Sequence, residues 1–259
     1  MVSGSPGPWI RRFTVGDAAC VRLVCFPHAG GAANYFHGLS ALMPPTVEIL
    51  AVQYPGRQDR LAERPIEAVP ELAARITERL ASWADRPLVL FGHSMGAVVA
   101  FEVARRLERE PAGLIVSGHR APSVPMRTSP SHHDDDMLIS VLEELDGTDA
   151  RLLADPEMRK IILSALRADY RAIETYAYVP GPPVSFPLSV MVGDTDPDVT
   201  LADARAWGEH SSARCGVRVF RGGHFYLRSW PAEVVESVVA DLLSFCGADL
   251  LSFCGSDGP

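Results

Sequence analysis

A five-residue turn constrains the fold of this chain more than any other stretch. Residues 92–96 read Gly-His-Ser-Met-Gly, with an apolar run at 88–91 before them and a helix-compatible apolar run after them. Glycines two residues to either side of Ser94 let a strand and a helix pass each other closely. The serine would then lie at a helix N-terminus, where free backbone N–H groups and the helix dipole favour negative charge. Ser94 is therefore a candidate nucleophile, the simpler alternative being a serine that only caps the helix.

Apolar runs and amphipathic segments alternate on both sides of this turn. Strands are predicted at 21–26, 47–52, 88–91, 114–117, 188–192 and 217–220, and helices at 66–80, 97–109, 201–208 and 231–245. Most of the strands are apolar throughout, which is typical of parallel strands covered on both faces. The pattern predicts an α/β fold with a mostly parallel central sheet and helices on both faces.

The alternation is interrupted between residues 122 and 183. No strand is predicted there, whereas helices are predicted at 134–145 and 156–178, the first with three acids in its first turn. A helical insertion between two strands is typical of a lid over an active site, although two extra packing helices would give the same pattern. We predict a single domain over residues 1–259, with a core at about 10–121 and 184–247 and a lid insertion at about 122–183.

The turn serine has a candidate base and candidate acids later in the chain. A serine hydroxyl needs a base to take its proton and a third group to orient that base. His224 follows the last predicted strand, behind two glycines, and is the best placed of the eight histidines. The loop after the preceding strand carries Asp194, Asp196 and Asp198, and the residues alone leave open which one is the acid. This order, with each group after a strand, predicts the α/β-hydrolase fold, whose nucleophile elbow has the pattern G-x-S-x-G.

Two backbone N–H groups near Ser94 are candidates for an oxyanion hole. One belongs to Met95, directly after the serine. The other belongs to Ala29, in the loop Pro-His-Ala-Gly-Gly at residues 27–31 after an early strand. The small residues of this loop let backbone donors approach a substrate carbonyl. His28 lies at the same mouth and is a candidate contact for the substrate or for the oxyanion loop.

The net charge and the cysteine content limit the classes of partner and the cellular location expected for this chain. A net charge of −8 argues against nucleic acid, and no apolar stretch is long enough to span a membrane. Five cysteines, an odd count without C-x-x-C spacing, favour a reduced cytoplasmic location over a disulfide framework. No signal peptide is visible at the N-terminus.

Two further segments are unusual. Residues 132–136 read His-His-Asp-Asp-Asp, but consecutive ligands would not converge on one ion, so we predict no metal site. The octapeptide 240–247 is repeated unchanged as 248–255. We expect the first copy to complete the last helix, and the second to form a duplicated tail over 248–259.

Five motifs together resemble the stand-alone type II thioesterases of polyketide and nonribosomal peptide biosynthesis. They span nearly the whole chain, from about residue 20 to 246. The motifs are Phe-Pro-His-Ala-Gly-Gly at 26–31, Tyr-Pro-Gly-Arg at 54–57, Phe-Gly-His-Ser-Met-Gly at 91–96, Gly-Asp-Thr-Asp at 193–196 and Gly-Gly-His-Phe at 222–225. The elbow alone would fit lipases and many esterases, so the combination carries the resemblance.

The resemblance implies roles that spacing does not give. The catalytic acid falls on Asp196, the oxyanion donors fall on Ala29 and Met95, and the insertion becomes a lid that shapes a channel for an acyl-phosphopantetheine arm. The implied reaction is hydrolysis of acyl thioesters on carrier proteins, which clears stalled or aberrant acyl groups. The partner would be an acyl or peptidyl carrier protein of a synthase, and we expect a monomer. No cofactor is implied, since the phosphopantetheine belongs to the substrate.

Three alternatives remain open at this point. One is a general carboxylesterase or lipase acting on free oxyesters. Another is a catalytically silent module that binds carrier proteins. A third is a cyclising thioesterase separated from its synthase, which the lack of a carrier domain among the 259 residues disfavours.

Overall fold

A seven-stranded sheet carries the fold in the computed structural model, which describes residues 7–13, 18–126, 134–144, 153–228 and 230–247. The strands are β1 Ile10–Arg12, β2 Val21–Phe26, β3 Val47–Val52, β4 Leu88–His93, β5 Gly113–Ser117, β6 Leu188–Gly193 and β7 Cys215–Phe220. They lie in the order β1-β3-β2-β4-β5-β6-β7, and every neighbouring pair is parallel except β1 with β3. The predicted mostly parallel sheet is therefore confirmed.

The edge strand β1 was not predicted from the sequence. It is three residues long, Ile10 is its only fully buried member, and two of its residues are arginines. Ile10 pairs with Val52 in an antiparallel register. A strand this short and polar has no hydrophobic periodicity, so neither the strand nor its pairing with β3 could be predicted from the sequence pattern.

Seven α-helices connect or cover the strands in the described ranges. They are α1 His37–Ser40, α2 Val69–Leu80, α3 Met95–Ala104, α4 Asp135–Glu144, α5 Pro156–Glu174, α6 Leu201–Arg205 and α7 Ala232–Cys246. Short 3-10 turns lie at Ala33–Phe36, Gln58–Arg60, Ala81–Trp83 and Ala206–His210. The prediction extended α3 to residue 109, but the Arg106 side chain caps the Glu102 carbonyl and the helix ends at Ala104. The helix that follows residue 156 likewise ends at Glu174 rather than 178.

Helices cover both faces of the sheet, as predicted. Alternate strand residues face opposite sides: Val24 and Leu50 belong to one buried cluster, and Leu23 and Ile49 to the other. The first cluster is completed by α2, α3 and α5, and the second by α1 and α7. Burial on both faces explains why the central strands are apolar throughout.

The cysteines only partly follow the expectation from the sequence. Cys25, Cys215 and Cys246 carry free thiols. Cys20 is disulfide-bonded, which departs at one position from the reduced setting that the sequence favours over a disulfide framework. As for the membrane, every helix in the described ranges is too short or too polar to cross a bilayer. The His132-His133 pair and the second octapeptide copy lie outside the described residues.

Candidate active site

Ser94 lies at the apex of a strained turn between β4 and α3. Its backbone has φ 55° and ψ −123°, a conformation that non-glycine residues rarely adopt. The Ser94 N–H donates to the Ser117 carbonyl at 2.8 Å, which fixes the turn against β5. A Cβ at Gly92 would lie 2.2 Å from the Gly96 carbonyl oxygen, and a Cβ at Gly96 would lie 2.1 Å from that of Phe26. Both elbow glycines are therefore required by close backbone approach.

Ser94, His224 and Asp196 form a continuous hydrogen-bonded chain. His224 Nε2 lies 2.9 Å from Ser94 Oγ, and His224 Nδ1 lies 2.9 Å from Asp196 Oδ2. The Asp196 side chain is fully buried and the imidazole is 17% exposed. The imidazole can thus take the serine proton while a buried carboxylate holds its tautomer and orientation.

The geometry distinguishes the three aspartates that the residues alone left open. Asp194 accepts a hydrogen bond from the Gly222 N–H at 2.8 Å, so its carboxylate holds the loop of the base rather than the base itself. The backbone N–H of Asp198 donates to Asp196 Oδ1 at 2.9 Å. Asp196 is the acid that contacts the imidazole, and its neighbours support the loop.

The loops after β6 and β7 are joined closely. A Cβ at Gly193 would lie 2.3 Å from the carbonyl oxygens of Gly222 and Gly223, so the two backbones could not approach this far with a larger residue. The Asp194 N–H donates to the Phe220 carbonyl at 2.8 Å and the Thr195 N–H to the Gly222 carbonyl at 3.0 Å. These backbone contacts, together with the Asp194 carboxylate on the Gly222 N–H, set the separation between the acid and the base.

The two predicted oxyanion donors lie on neighbouring segments. Met95 is the first residue of α3, and the first N–H groups of a helix have no intrahelical acceptor. The loop that contains Ala29 runs against the same helix end, because a Cβ at Gly96 would also lie 2.6 Å from the Pro27 carbonyl oxygen. Neither the Ala29 nor the Met95 N–H donates to an acceptor within the described residues. Both are thus available for a substrate oxyanion.

His28 does not take the position expected of a substrate contact. It is 2% exposed, and its ring packs edge-on against Tyr35 and Phe225, with centroids 4.6 Å and 5.4 Å away. Burial, followed by the nearby His224 and Arg57, lowers the pKa of His28 to about 3. The ring is therefore a neutral support beneath the oxyanion loop, where a Cβ at Gly31 would lie 2.8 Å from His28 Nε2. Of the two contacts expected of His28, its burial favours the loop over the substrate.

Neutral imidazoles also surround the candidate base. His93 lies with its ring centroid 5.2 Å from that of His224 and hydrogen-bonds through Nδ1 to Ser117 Oγ at 2.9 Å. Burial and then the charge of His224 lower the pKa of His93 well below its usual value. Burial likewise lowers the pKa of His119 to about 4. The three buried imidazoles of His28, His93 and His119 are therefore neutral near pH 7.

One cluster in the described residues has the composition of a metal site. Ligand atoms of Asp196, Asp198 and His224 lie within 4.8 Å of one another. The hydrogen bond from His224 Nδ1 to Asp196 already explains why these groups converge. The cluster is thus the acid–base pair with a neighbouring carboxylate.

A cavity of about 440 Å³ lies between the segment that follows β5 and the C-terminal end of α5. It is lined by residues 119–126 after β5 and by Ile173, Tyr176 and Tyr178 at and beyond the end of α5. A Cβ at Gly118, one residue before this lining, would lie 3.5 Å from His224 Cε1. The lining therefore starts one residue beyond a glycine that lies near the candidate base, and most of it comes from the insertion.

Sequence reasoning missed Asp169, which is buried in α5 and contacts the loop of Ala29. Asp169 Oδ2 accepts from the Gly30 N–H at 2.8 Å, and both carboxylate oxygens accept from Arg57 at 2.7 and 2.8 Å. A signal for it exists in the sequence: Asp169 falls on the apolar face of the helix, among Leu166 and Ile173. An acid on a buried face requires a buried partner.

Known proteins are similar to this chain in sequence and in fold. The Thioesterase domain family model matches residues 21–244. A probable cadicidin biosynthesis thioesterase of Streptomyces griseus is 46% identical over 85% of this chain, and the match spans 62% of that protein, less than two thirds of its length. Thioesterase PikA5 of Streptomyces venezuelae is 44% identical over 92% of this chain and 86% of its own.

Solved structures agree with the sequence comparison. The type II thioesterase BorB from the borrelidin biosynthetic cluster superposes with a TM-score of 0.83 at 41% identity, covering 92% of this chain and 99% of that one. The triad geometry, the parallel sheet and the family match therefore agree with one another. The chain belongs to the thioesterase domain family, among the type II thioesterases of the α/β-hydrolase fold.

Proposed function

We propose that this enzyme hydrolyses acyl thioesters on the phosphopantetheine arms of carrier proteins, removing stalled or aberrant acyl groups during polyketide or nonribosomal peptide synthesis. The observation that carries the proposal is the Ser94–His224–Asp196 chain, with 2.9 Å between successive partners, in a protein of the thioesterase family. Relatives from antibiotic pathways, such as the cadicidin and borrelidin proteins, support the choice of substrate.

Acylation begins with the proton of the serine. His224 takes this proton through Nε2 as Ser94 Oγ attacks the thioester carbonyl. The N–H groups of Ala29 and Met95 stabilise the oxyanion that forms. The pantetheine sulfur then leaves as a thiol that carries the proton from His224, which restores the neutral imidazole. The demand on His224 as the acid is small because a thiolate is a good leaving group. The acyl group remains on Ser94 as an ester.

Deacylation uses the same groups with water in place of the serine. His224 takes a proton from a water molecule, which attacks the acyl-serine carbonyl, and the oxyanion again lies against the two backbone donors. Collapse of the intermediate releases the carboxylic acid and returns the proton to Ser94. Asp196 keeps the imidazole in the correct tautomer and stabilises its cation in both halves.

The insertion and the cavity fit an arm that arrives from a separate protein. We assign α4 and α5 as the lid, and the cavity of about 440 Å³ as the place for the acyl group. The arm brings its own phosphopantetheine, so the enzyme needs no cofactor in this scheme. The partner is an acyl or peptidyl carrier protein.

Matched substrates test the proposal. Hydrolysis is measured on acyl-carrier proteins, acyl-pantetheines and the corresponding oxyesters, each with the same series of acyl groups, and Ser94→Ala serves as the control. We expect kcat/KM to be highest on carrier-bound thioesters and to be lost in Ser94→Ala. Equal or faster turnover of oxyesters would identify a general esterase. Full thioester hydrolysis by Ser94→Ala would refute the mechanism.

A further inference from the structure

The motif Tyr-Pro-Gly-Arg at residues 54–57 takes no part in the triad, yet it contacts the loop that carries Ala29. Tyr54 is fully buried and donates its hydroxyl to the Pro27 carbonyl at 3.2 Å. Arg57 donates through Nη1 to the Gly31 carbonyl at 3.0 Å. The motif therefore holds the oxyanion loop at both ends.

Helix α5 supplies a third contact, in the middle of this loop. Asp169 accepts from the Gly30 N–H at 2.8 Å and binds Arg57 through both oxygens. The side chains of Arg57 and Asp169 are 8% and 1% exposed. One carboxylate from the insertion thus joins the loop after β2 to the loop after β3.

This pair orients the peptide next to the candidate oxyanion donor. Ala29 lies between two peptide units, and Asp169 fixes the direction of the second through the Gly30 N–H. Hydrogen bonds to a carboxylate are stronger than neutral ones, so the loop has little freedom to rotate while the pair is intact. A buried ion pair seldom adds net stability compared with apolar residues of similar volume. Its location therefore points to orientation of the loop rather than to stability.

We infer that Arg57 and Asp169 are positioning residues for the Ala29 N–H, and that the oxyanion hole is complete only while the buried half of α5 is docked. The inference rests on the proposed function. It deepens that function by coupling the insertion to the catalytic loop: movement confined to the exposed N-terminal half of α5 leaves Asp169 in place, whereas undocking of the C-terminal half withdraws it.

The test uses Asp169→Asn and Arg57→Lys, with Glu67→Gln as the matched control. Glu67 binds Arg171, also on α5, in an exposed ion pair that does not contact the loop. We expect kcat for a carrier-bound thioester to fall about 10- to 100-fold in the two test variants, because a misplaced oxyanion donor weakens only the transition state. KM should change by less than about threefold, since ground-state binding is untouched. Glu67→Gln should keep kcat within about twofold of wild type, as expected for an exposed pair.

Two readouts separate positioning from general damage to the fold. Affinity for a boronic acid that forms a tetrahedral adduct on Ser94 should fall in proportion to kcat, since the adduct needs the same N–H groups. The pH profile of kcat/KM should keep its shape, because His224 and Asp196 are unchanged. Loss of kcat without loss of boronate affinity would overturn the inference.

A double variant covers the case in which a single change unfolds the protein. Arg57→Met with Asp169→Leu removes both charges together, which buried pairs generally tolerate. We expect this variant to unfold near the wild-type temperature with kcat still lowered. Wild-type kcat in this folded variant would refute the inference and leave the triad mechanism standing. The proposed function fails separately, if Ser94→Ala remains active.

Discussion

The carboxyl edge of the sheet and helix α5 both contribute to the site, but by different means. Ser94, Asp196 and His224 each lie within a few residues of a strand end, and backbone bonds between neighbouring loops fix their spacing. Asp169 reaches the site from an insertion, 139 residues along the chain from the Gly30 N–H that it binds. The sheet edge therefore follows from local structure, whereas the contribution of α5 depends on how the helix docks.

The two halves of α5 extend the same contrast. From Leu163 onward the helix contributes seven buried residues, Asp169 among them, whereas no residue before Leu163 is buried. Two ion pairs tie the buried half to the core: Arg57–Asp169 is inaccessible, and Arg171–Glu67 is 42% exposed on both sides. The buried pair Arg57–Asp169 can therefore orient the catalytic loop, whereas the pair Arg171–Glu67 is exposed to solvent.

The largest expected effect concerns the sheet edge. Asp196→Asn should lower kcat by about 10⁴-fold, because an amide favours the wrong tautomer of His224. Asp194→Asn and Asp198→Asn should stay within about tenfold of wild type, since neither carboxylate contacts the imidazole. Steady-state kinetics on one carrier-bound thioester compares all three variants. A larger loss of kcat in Asp194→Asn or Asp198→Asn than in Asp196→Asn would show that one of those residues, and not Asp196, is the catalytic acid.

A smaller effect should separate the two halves of α5. Leu166 is fully buried, so Leu166→Ala should reduce the free energy of unfolding by about 2–5 kcal/mol. Ile161→Ala should reduce the free energy of unfolding by about 1 kcal/mol or less, because Ile161 is only partly buried. Urea denaturation of both variants provides the measurement. Equal losses would mean that the whole helix is docked, which would remove the contrast between its halves.

Burial beneath the oxyanion loop predicts a dependence of stability on pH. The folded pKa of His28 is about 3 against 6.5 for the exposed group, so the unfolded chain binds more protons below pH 6.5. The stabilisation is complete above pH 6.5 and is lost as the pH falls towards 3, at up to about 1.4 kcal/mol per pH unit. Between pH 6.5 and 5 the free energy of unfolding should therefore fall by about 2 kcal/mol less in His28→Phe than in wild type. If the urea midpoints of the two proteins changed equally with pH over this range, the burial of a neutral His28 would be contradicted.

The smallest effect is expected at the exposed ion pair of α5. Glu67→Gln should change the free energy of unfolding by less than about 1 kcal/mol, because both side chains are well hydrated. The difference from wild type should shrink further in 0.5 M NaCl, which screens exposed charges. A loss comparable with that of Leu166→Ala would show that this pair, and not the buried face, anchors the helix.

The same contrast explains what could be predicted from the sequence. The elbow, the base after the last strand and the loop of acids all follow from the strand order, because parallel strands end at one edge. Choosing Asp196 among three aspartates required either the family resemblance or its contact with His224 in the structure. Asp169 was missed because its partner Arg57 is 112 residues away and no local pattern joins them. The burial of His28 was missed for a similar reason, since the aromatic rings that bury it come from separate segments.

The proposed mechanism requires that a carrier-bound acyl group passes through an ester on Ser94. The direct measurement mixes the protein with an acyl-carrier protein, quenches the reaction within one turnover, and analyses the peptides by mass spectrometry. We expect the peptide containing residues 92–96 to gain the mass of the acyl group, and Ser94→Ala to show neither this adduct nor release of acid. Acid released at the wild-type rate without acylation of Ser94, or with the adduct on another residue, would contradict the mechanism.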